Sequence, residues 1–365
     1  MTGPLLRMAF IVLPVAAAMI GLSSGLSEYG RVEEYIARGH VWPPPPSEYI
    51  PADPKWISIF ARRFDQLSRI SDLDDKYNGY MSVLHAALLA PNFTEYGWGL
   101  TRAPPDLVIA LVDNLKRGLA SEDTPEEDAR HPVSEEYPLM RPLMVPNERL
   151  NDRAMIEMKH MHEAWSGVEL IANNAYGLRV YRNQSKLLMH IDESATHVIS
   201  SILHVGHDPD GEPWPLIIED LRGNTNEVYL EAGDMLLYES SKCFHGRPRR
   251  YVGGWYSSLF THYYPVGWDD GEEGIEMKAH YRVPPDWSEE APKEGGEGGE
   301  GGAAELVVSE TSFSEPDCME GWCGLVDTIV WERPEGLEYG QVLSGDGKVR
   351  SLGLLDDFGG EDEEL

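Results

Sequence analysis

At Leu178 the chain changes rhythm, and this change restricts its fold more than any other feature. Short apolar runs at residues 178–181, 197–205, 216–218, 227–230, 235–238 and 255–264 are separated by Gly, Pro, Asp and Asn. Runs this short, with breakers between them, read as strands of a sandwich or barrel. The preceding stretch has a different period. Trp56, Ile59, Phe60, Phe64 and Leu67 recur at helical spacing, as do the apolar residues of 81–89, 107–119 and 149–165. An acidic, breaker-rich segment at 121–142 interrupts them. A helical region leading into a β-rich one predicts an α+β protein.

The 365 residues are 42% hydrophobic and include ten Trp and seventeen Tyr, enough to fill a sizeable core. A formal charge of -32 excludes a nucleic-acid partner, because phosphate is repelled by such a surface. It suits solubility, or a basic partner.

The termini carry their own signals. Arg7, the apolar run 8–22 and the small polar residues to Ser27 have the layout of a signal peptide or signal-anchor. The run is short for a membrane span, and membrane contact is expected only if this anchor stays uncleaved. Asn92-Phe93-Thr94 and Asn183-Gln184-Ser185 are glycosylation sequons compatible with a lumenal protein. Cys318 and Cys323 flank a loop that a disulfide would close in an oxidising compartment, and Cys243 is expected to be a small core residue. Asp362-Glu363-Glu364-Leu365 loosely matches a lumenal retention signal.

The chemistry falls within the β-rich part. His190-Ile191-Asp192 ends an apolar run, and residues two apart on a strand share a face, so both side chains can reach one metal. His245 follows a second apolar strand and completes two imidazoles and one carboxylate. That set is the facial triad of non-haem Fe(II) oxygenases. His160, His162 and Glu163 make a competing cluster, but on a helix residues two apart do not share a face. His197, His204 and His207 read as strand or loop residues.

Between about Leu178 and Pro265 the chain resembles the catalytic domain of prolyl 4-hydroxylases. His190-Ile191-Asp192 stands at the family's His-x-Asp, and Glu231-Ala232-Gly233-Asp234-Met235-Leu236-Leu237-Tyr238 at its Lys-x-Gly-Asp-Ala-Leu-Leu-Phe strand. His245-Gly246, Pro248 and Gly253-Gly254-Trp255-Tyr256-Ser257-Ser258 follow in the family's order, and Tyr181 falls near a Tyr that lies beside its oxoglutarate. The resemblance implies a double-stranded β-helix (jelly-roll) core buttressed by N-terminal helices. It also implies Fe(II), 2-oxoglutarate and O₂ as cofactor and co-substrates, ascorbate as a reductant, and hydroxylation of peptidyl proline in a proline-rich peptide or protein.

One position departs from the family. Where the family has a Lys that anchors the far carboxylate of 2-oxoglutarate, this chain has Trp255. Arg249 or Arg250 is expected to replace that charge, with Tyr181, Ser257 and Ser258 adding neutral hydrogen bonds; Arg179 and Arg182 are weaker candidates. The expected organisation is a leader at 1–27, a mainly helical region at 28–165, and the β-helix dioxygenase domain at 166–270. A Gly/Glu-rich linker at 271–302 then precedes an acidic tail at 303–365, strand-like in places and outside the β-helix. The endoplasmic reticulum lumen is the expected location.

Overall fold

The computed structural model describes residues 92–127, 141–193, 196–268, 322–324 and 327–354, with isolated positions 63, 65, 69, 318 and 320. The leader, the helical patterns of 56–60 and 81–89, and the linker at 271–302 lie outside the described residues. No helix among the described residues is long and apolar enough to cross a membrane.

Apolar residues set each element. Helix α1 (Pro105–Leu119) has Pro at its start and buries Leu107, Leu111 and Leu115, one per turn. Helix α2 (Glu148–Ser166) buries Ala154, Met158, Met161 and His162 along one stripe. It ends at Gly167, whose φ of 74° suits a left-handed cap and whose N–H donates to the Glu163 carbonyl.

Eight strands form the central frame. They are β3 (Leu170–Arg182), β4 (Leu187–His190), β5 (Ile199–His207), β6 (Leu216–Glu219), β7 (Asn224–Val228), β8 (Asp234–Tyr238), β9 (His245–Arg247) and β10 (Trp255–Pro265). The order β8-β5-β10-β3 lies in one sheet and β7-β6-β9-β4 in the other, every pair antiparallel. A chain that crosses between two facing sheets in this order is a double-stranded β-helix. Helices α1 and α2 pack on the outer face of the larger sheet, where Leu107, Leu111, Met158, Leu178, Leu203, Leu237 and Leu259 form one core. The fold class is α+β, as expected.

Two boundaries differ from expectation. Strand β1 (Trp98–Arg102) lies inside the supposedly helical region, yet it pairs with β8 in the larger sheet. A short strand, β2 (Leu143–Met144), also extends that sheet beyond β3. The acidic tail is not outside the β-helix. Strand β11 (Asp327–Trp331) runs parallel to β7, β12 (Gln341–Ser344) pairs with β1, and β13 (Val349–Ser351) pairs with β12. The tail covers both sheets because each would otherwise present an unpaired edge.

His162 supplies a pH dependence. It is fully buried, its Nδ1 lies 2.7 Å from the Met158 carbonyl, and burial pushes it down to about 4 from an ordinary 6.5. The folded chain therefore keeps it neutral where the unfolded chain binds a proton. Its contribution to stability is complete above about 6.5 and falls as pH drops toward 4, by at most about 1.4 kcal/mol per pH unit. Urea melts at pH 7 and pH 5 should show a lower midpoint at pH 5, and His162→Phe should flatten that slope.

Candidate metal centre

Strands β4 and β9 are neighbours, and their register sets His190 opposite His245. Asp192 follows two residues beyond His190, with its backbone N–H on the Ser240 carbonyl. All three side chains are buried, and their ligating atoms lie within 4.8 Å of one another. Among the described residues this is the one His/Cys/Asp/Glu group so arranged.

Hydrogen bonds orient the imidazoles. Nδ1 of His190 sits 2.7 Å from the Leu188 carbonyl, and Nδ1 of His245 sits 2.9 Å from the Cys243 carbonyl. A carbonyl only accepts, so each Nδ1 carries the proton and each Nε2 is left with a lone pair. Both Nε2 atoms face Asp192 Oδ1, at 3.4 and 3.5 Å. Three acceptors aimed at one point need a cation between them. Ligands about 2.1 Å from a metal and mutually at right angles lie about 3 Å apart, so small shifts accommodate a divalent ion. Burial raises the Asp192 carboxyl, but His245 and His190 beside it hold it well below the usual carboxylate range.

The outer partners were not all legible in the chain. Tyr238 donates to Asp192 Oδ2 at 3.5 Å, and His262 Nδ1 lies 3.8 Å from the same oxygen and 2.9 Å from Ser200 Oγ. Burial and the adjacent His197 push His262 down to about 3, so it is neutral near pH 7. His262 was missed, although it has a signal: it lies two residues beyond Phe260 on β10, and both line the same cavity. Outer partners of this kind typically contribute 10–100-fold in metal affinity. Tyr238→Phe, which removes the hydrogen bond to Asp192, should therefore weaken Fe(II) binding by about 10-fold or more in a chelator-competition titration.

A cavity of about 270 Å³ opens onto the three ligands, walled by Tyr176, Arg179, His197, Ile202, Phe260 and His262 among others. The expected keto-acid contacts are distributed unevenly around it. Tyr181 is buried and does not line the cavity; its hydroxyl accepts from Arg179 Nη1 at 3.0 Å. Arg179, the weaker candidate, reaches the cavity itself and forms a buried ion pair with Glu127 at 2.5 Å. Arg249 and Arg250 do not reach it. Arg249 bonds Glu320 at 2.8 Å and lies near Glu227, while Arg250 donates to the Gln184 carbonyl at 3.1 Å. They lie just beyond the end of β9 and are absent from the cavity wall. Ser257 is buried and does not line it either.

Of the competing histidines, His197 lines the cavity and its ring lies 4.0 Å from that of His262. His160 bonds the Tyr339 hydroxyl at 2.9 Å, on a different face of α2 from His162, and His204 pairs with His207 at 2.8 Å. Cys243 is a buried free thiol, and Cys318 and Cys323 form the expected disulfide.

No family model matches this sequence, and no curated protein does. Several solved structures are similar to it. A prolyl-4-hydroxylase from Pseudomonas putida is 16% identical, aligning over 51% of this chain and 98% of its own, with a TM-score of 0.38. HygX from Streptomyces hygroscopicus, solved with nickel, 2-oxoglutarate and hygromycin B, is 12% identical over 47% and 84%, with a TM-score of 0.36. EctD from S. alaskensis, solved with Fe, is 13% identical over 48% and 75%, with a TM-score of 0.34.

Proposed function

We propose that this chain is an Fe(II)- and 2-oxoglutarate-dependent dioxygenase that hydroxylates peptidyl proline in proteins of the secretory pathway. The convergence of His190 Nε2, His245 Nε2 and Asp192 Oδ1 on one point at the floor of an open cavity carries this reading. Two imidazoles and a carboxylate on one face suit Fe(II) and leave the opposite positions open. When bound there, iron together with 2-oxoglutarate and O₂ supplies the oxidising power.

The chain's own residues have simpler tasks. The Leu188 and Cys243 carbonyls hold each imidazole with Nε2 inward. Tyr238 donates to the second carboxylate oxygen of Asp192, leaving the first for the metal. Ile202 and Phe260 give the cavity an apolar wall that limits water, and Tyr176 and Phe260 offer ring faces on which a prolyl ring packs.

The substrate class follows the motif resemblance to prolyl 4-hydroxylases. The lumenal location is supported by the leader pattern at 1–27, the two sequons and a disulfide, which persists in an oxidising compartment. The test is to supply the purified chain with Fe(II), 2-oxoglutarate and ascorbate, then measure succinate and peptide mass. Succinate with a gain of one oxygen on a proline-rich peptide supports the proposal. Succinate without peptide oxidation keeps the dioxygenase and rejects the substrate; no succinate under any condition rejects both.

A further inference from the structure

Strand β3 departs from strand chemistry where it reaches the cavity. Asn173 and Asn174 stand side by side in it, both exposed, although Asn is disfavoured in strands. The pairing with β10 slips at this point. Asn174 lies opposite His262 and Ala172 opposite Tyr263, so Asn173 is an extra residue. Bulges of this kind are common beside active sites, where they re-aim a side chain. Asn174 lines the cavity together with Tyr176, two residues on, and their opposite residues His262 and Phe260 line it from β10. These four side chains form one patch of the wall, and His262 Nδ1 comes within 3.8 Å of Asp192.

The hydrogen bonds of the wall single out Asn174. The Tyr176 hydroxyl donates to Glu127, and Arg179 is paired with the same carboxylate. His197 Nδ1 lies 2.7 Å from Thr196 Oγ1, Tyr238 donates to Asp192, and His262 Nδ1 sits against Ser200. Each of these groups is already engaged. Beyond His190, Asp192 and His245, Asn174 is thus the one polar side chain of the wall with no hydrogen-bond partner among the described residues. Its amide carries both a donor and an acceptor. An extended peptide residue turns its own N–H and C=O to one side, which is the complementary pair. Proline has no N–H, so the nearest residue able to offer both is the one flanking it.

We infer that Asn174 is a substrate-binding residue that selects a peptide over a free amino acid, by pairing with the N–H and C=O of the residue flanking the target proline. This rests on the reading of the chain as a peptidyl hydroxylase. Asn174 holds the backbone at the rim while the prolyl ring packs on Tyr176 and Phe260.

The test is calorimetric titration of the full chain loaded with Mn(II) and 2-oxoglutarate. The probe is the end-blocked peptide Lys-Ala-Pro-Ala-Lys, basic to suit a chain of charge -32. Two ester analogues carry lactic acid in place of the Ala before or after Pro, which replaces one N–H by oxygen. The wild-type chain should bind the amide peptide about three- to tenfold more tightly than at least one ester, the range of a single neutral hydrogen bond. Asn174→Ala should bring all three probes to within about twofold of one another, with that ester bound as by the wild-type chain. Asn174→Asp keeps the acceptor and should keep the preference for the N–H. Both variants should bind Mn(II) as the wild-type chain does. A preference that survives in Asn174→Ala, or amide and esters bound alike by the wild-type chain, overturns the assignment and leaves the hydroxylase reading standing. A wild-type chain that binds Mn(II) and 2-oxoglutarate but none of the three peptides overturns that reading and the assignment with it.

Discussion

His245→Ala should remove specific Fe(II) binding and, with it, all 2-oxoglutarate turnover. The imidazole is one of three groups whose lone pairs meet at a point, and no other His, Cys, Asp or Glu among the described residues joins that group. Losing an outer partner costs about 10–100-fold in metal affinity, so losing a ligand should cost at least about 100-fold. The fold should survive, because β9 keeps its pairing to β4 and β6 through backbone bonds. Thermal melting separates the two effects. A metal at about 100 times its Kd adds about 2.7 kcal/mol to the stability of the form that binds it. Added Mn(II) should raise the melting temperature of the wild-type chain and leave His245→Ala unchanged. An equal rise in both proteins would mean that the ion binds elsewhere.

Ending the chain at residue 326 should be the most damaging change to stability. That truncation removes β11, β12 and β13. Strand β12 covers the free edge of β1, with Leu343 opposite Leu100 and Val342 opposite Thr101. Leu337, Val342 and Leu343 are each at least 95% buried, and the Trp331 ring meets Trp98 at 5.3 Å while its Nε1 donates to Asn226. Burying one such aliphatic side chain contributes about 1.5–3 kcal/mol, against a net stability of about 5–15 kcal/mol for a typical domain. The exposed β1 edge would also invite aggregation. We expect insoluble protein or a melting temperature lower by more than about 10 °C. A truncated chain that melts within a few degrees of the full one would show that the tail is an appendage.

The strands of the β-helix were legible because they lie between two packed layers. All five residues of β8 are buried, and the four after Asp234 read as an unbroken apolar run. The first half of β3 was hidden, since residues 171–174 are exposed and polar residues interrupt them. Strand β1 was hidden by Gly99, which breaks the strand pattern. A Cβ there would meet Val342 and Trp165, so the glycine marks a close approach on one face of the sheet. The tail strands are short and partly exposed, and their partners are distant in sequence, which no local pattern records.

The candidate metal site was legible for a geometric reason. A period of two puts His190 and Asp192 on one face whatever the rest of the chain does. The packing of Trp255 was not, because it depends on which face of β10 that residue occupies. One residue of parity turns Trp255 toward the helices and brings Tyr256, with Arg247 behind it, to the inner side.

The most direct test of the central claim is an anomalous difference map at the iron edge, from crystals grown anaerobically with Fe(II). One peak should appear within about 2.2 Å of His190 Nε2, Asp192 Oδ1 and His245 Nε2. Iron bound elsewhere, with the three side chains directed at no metal, would contradict it.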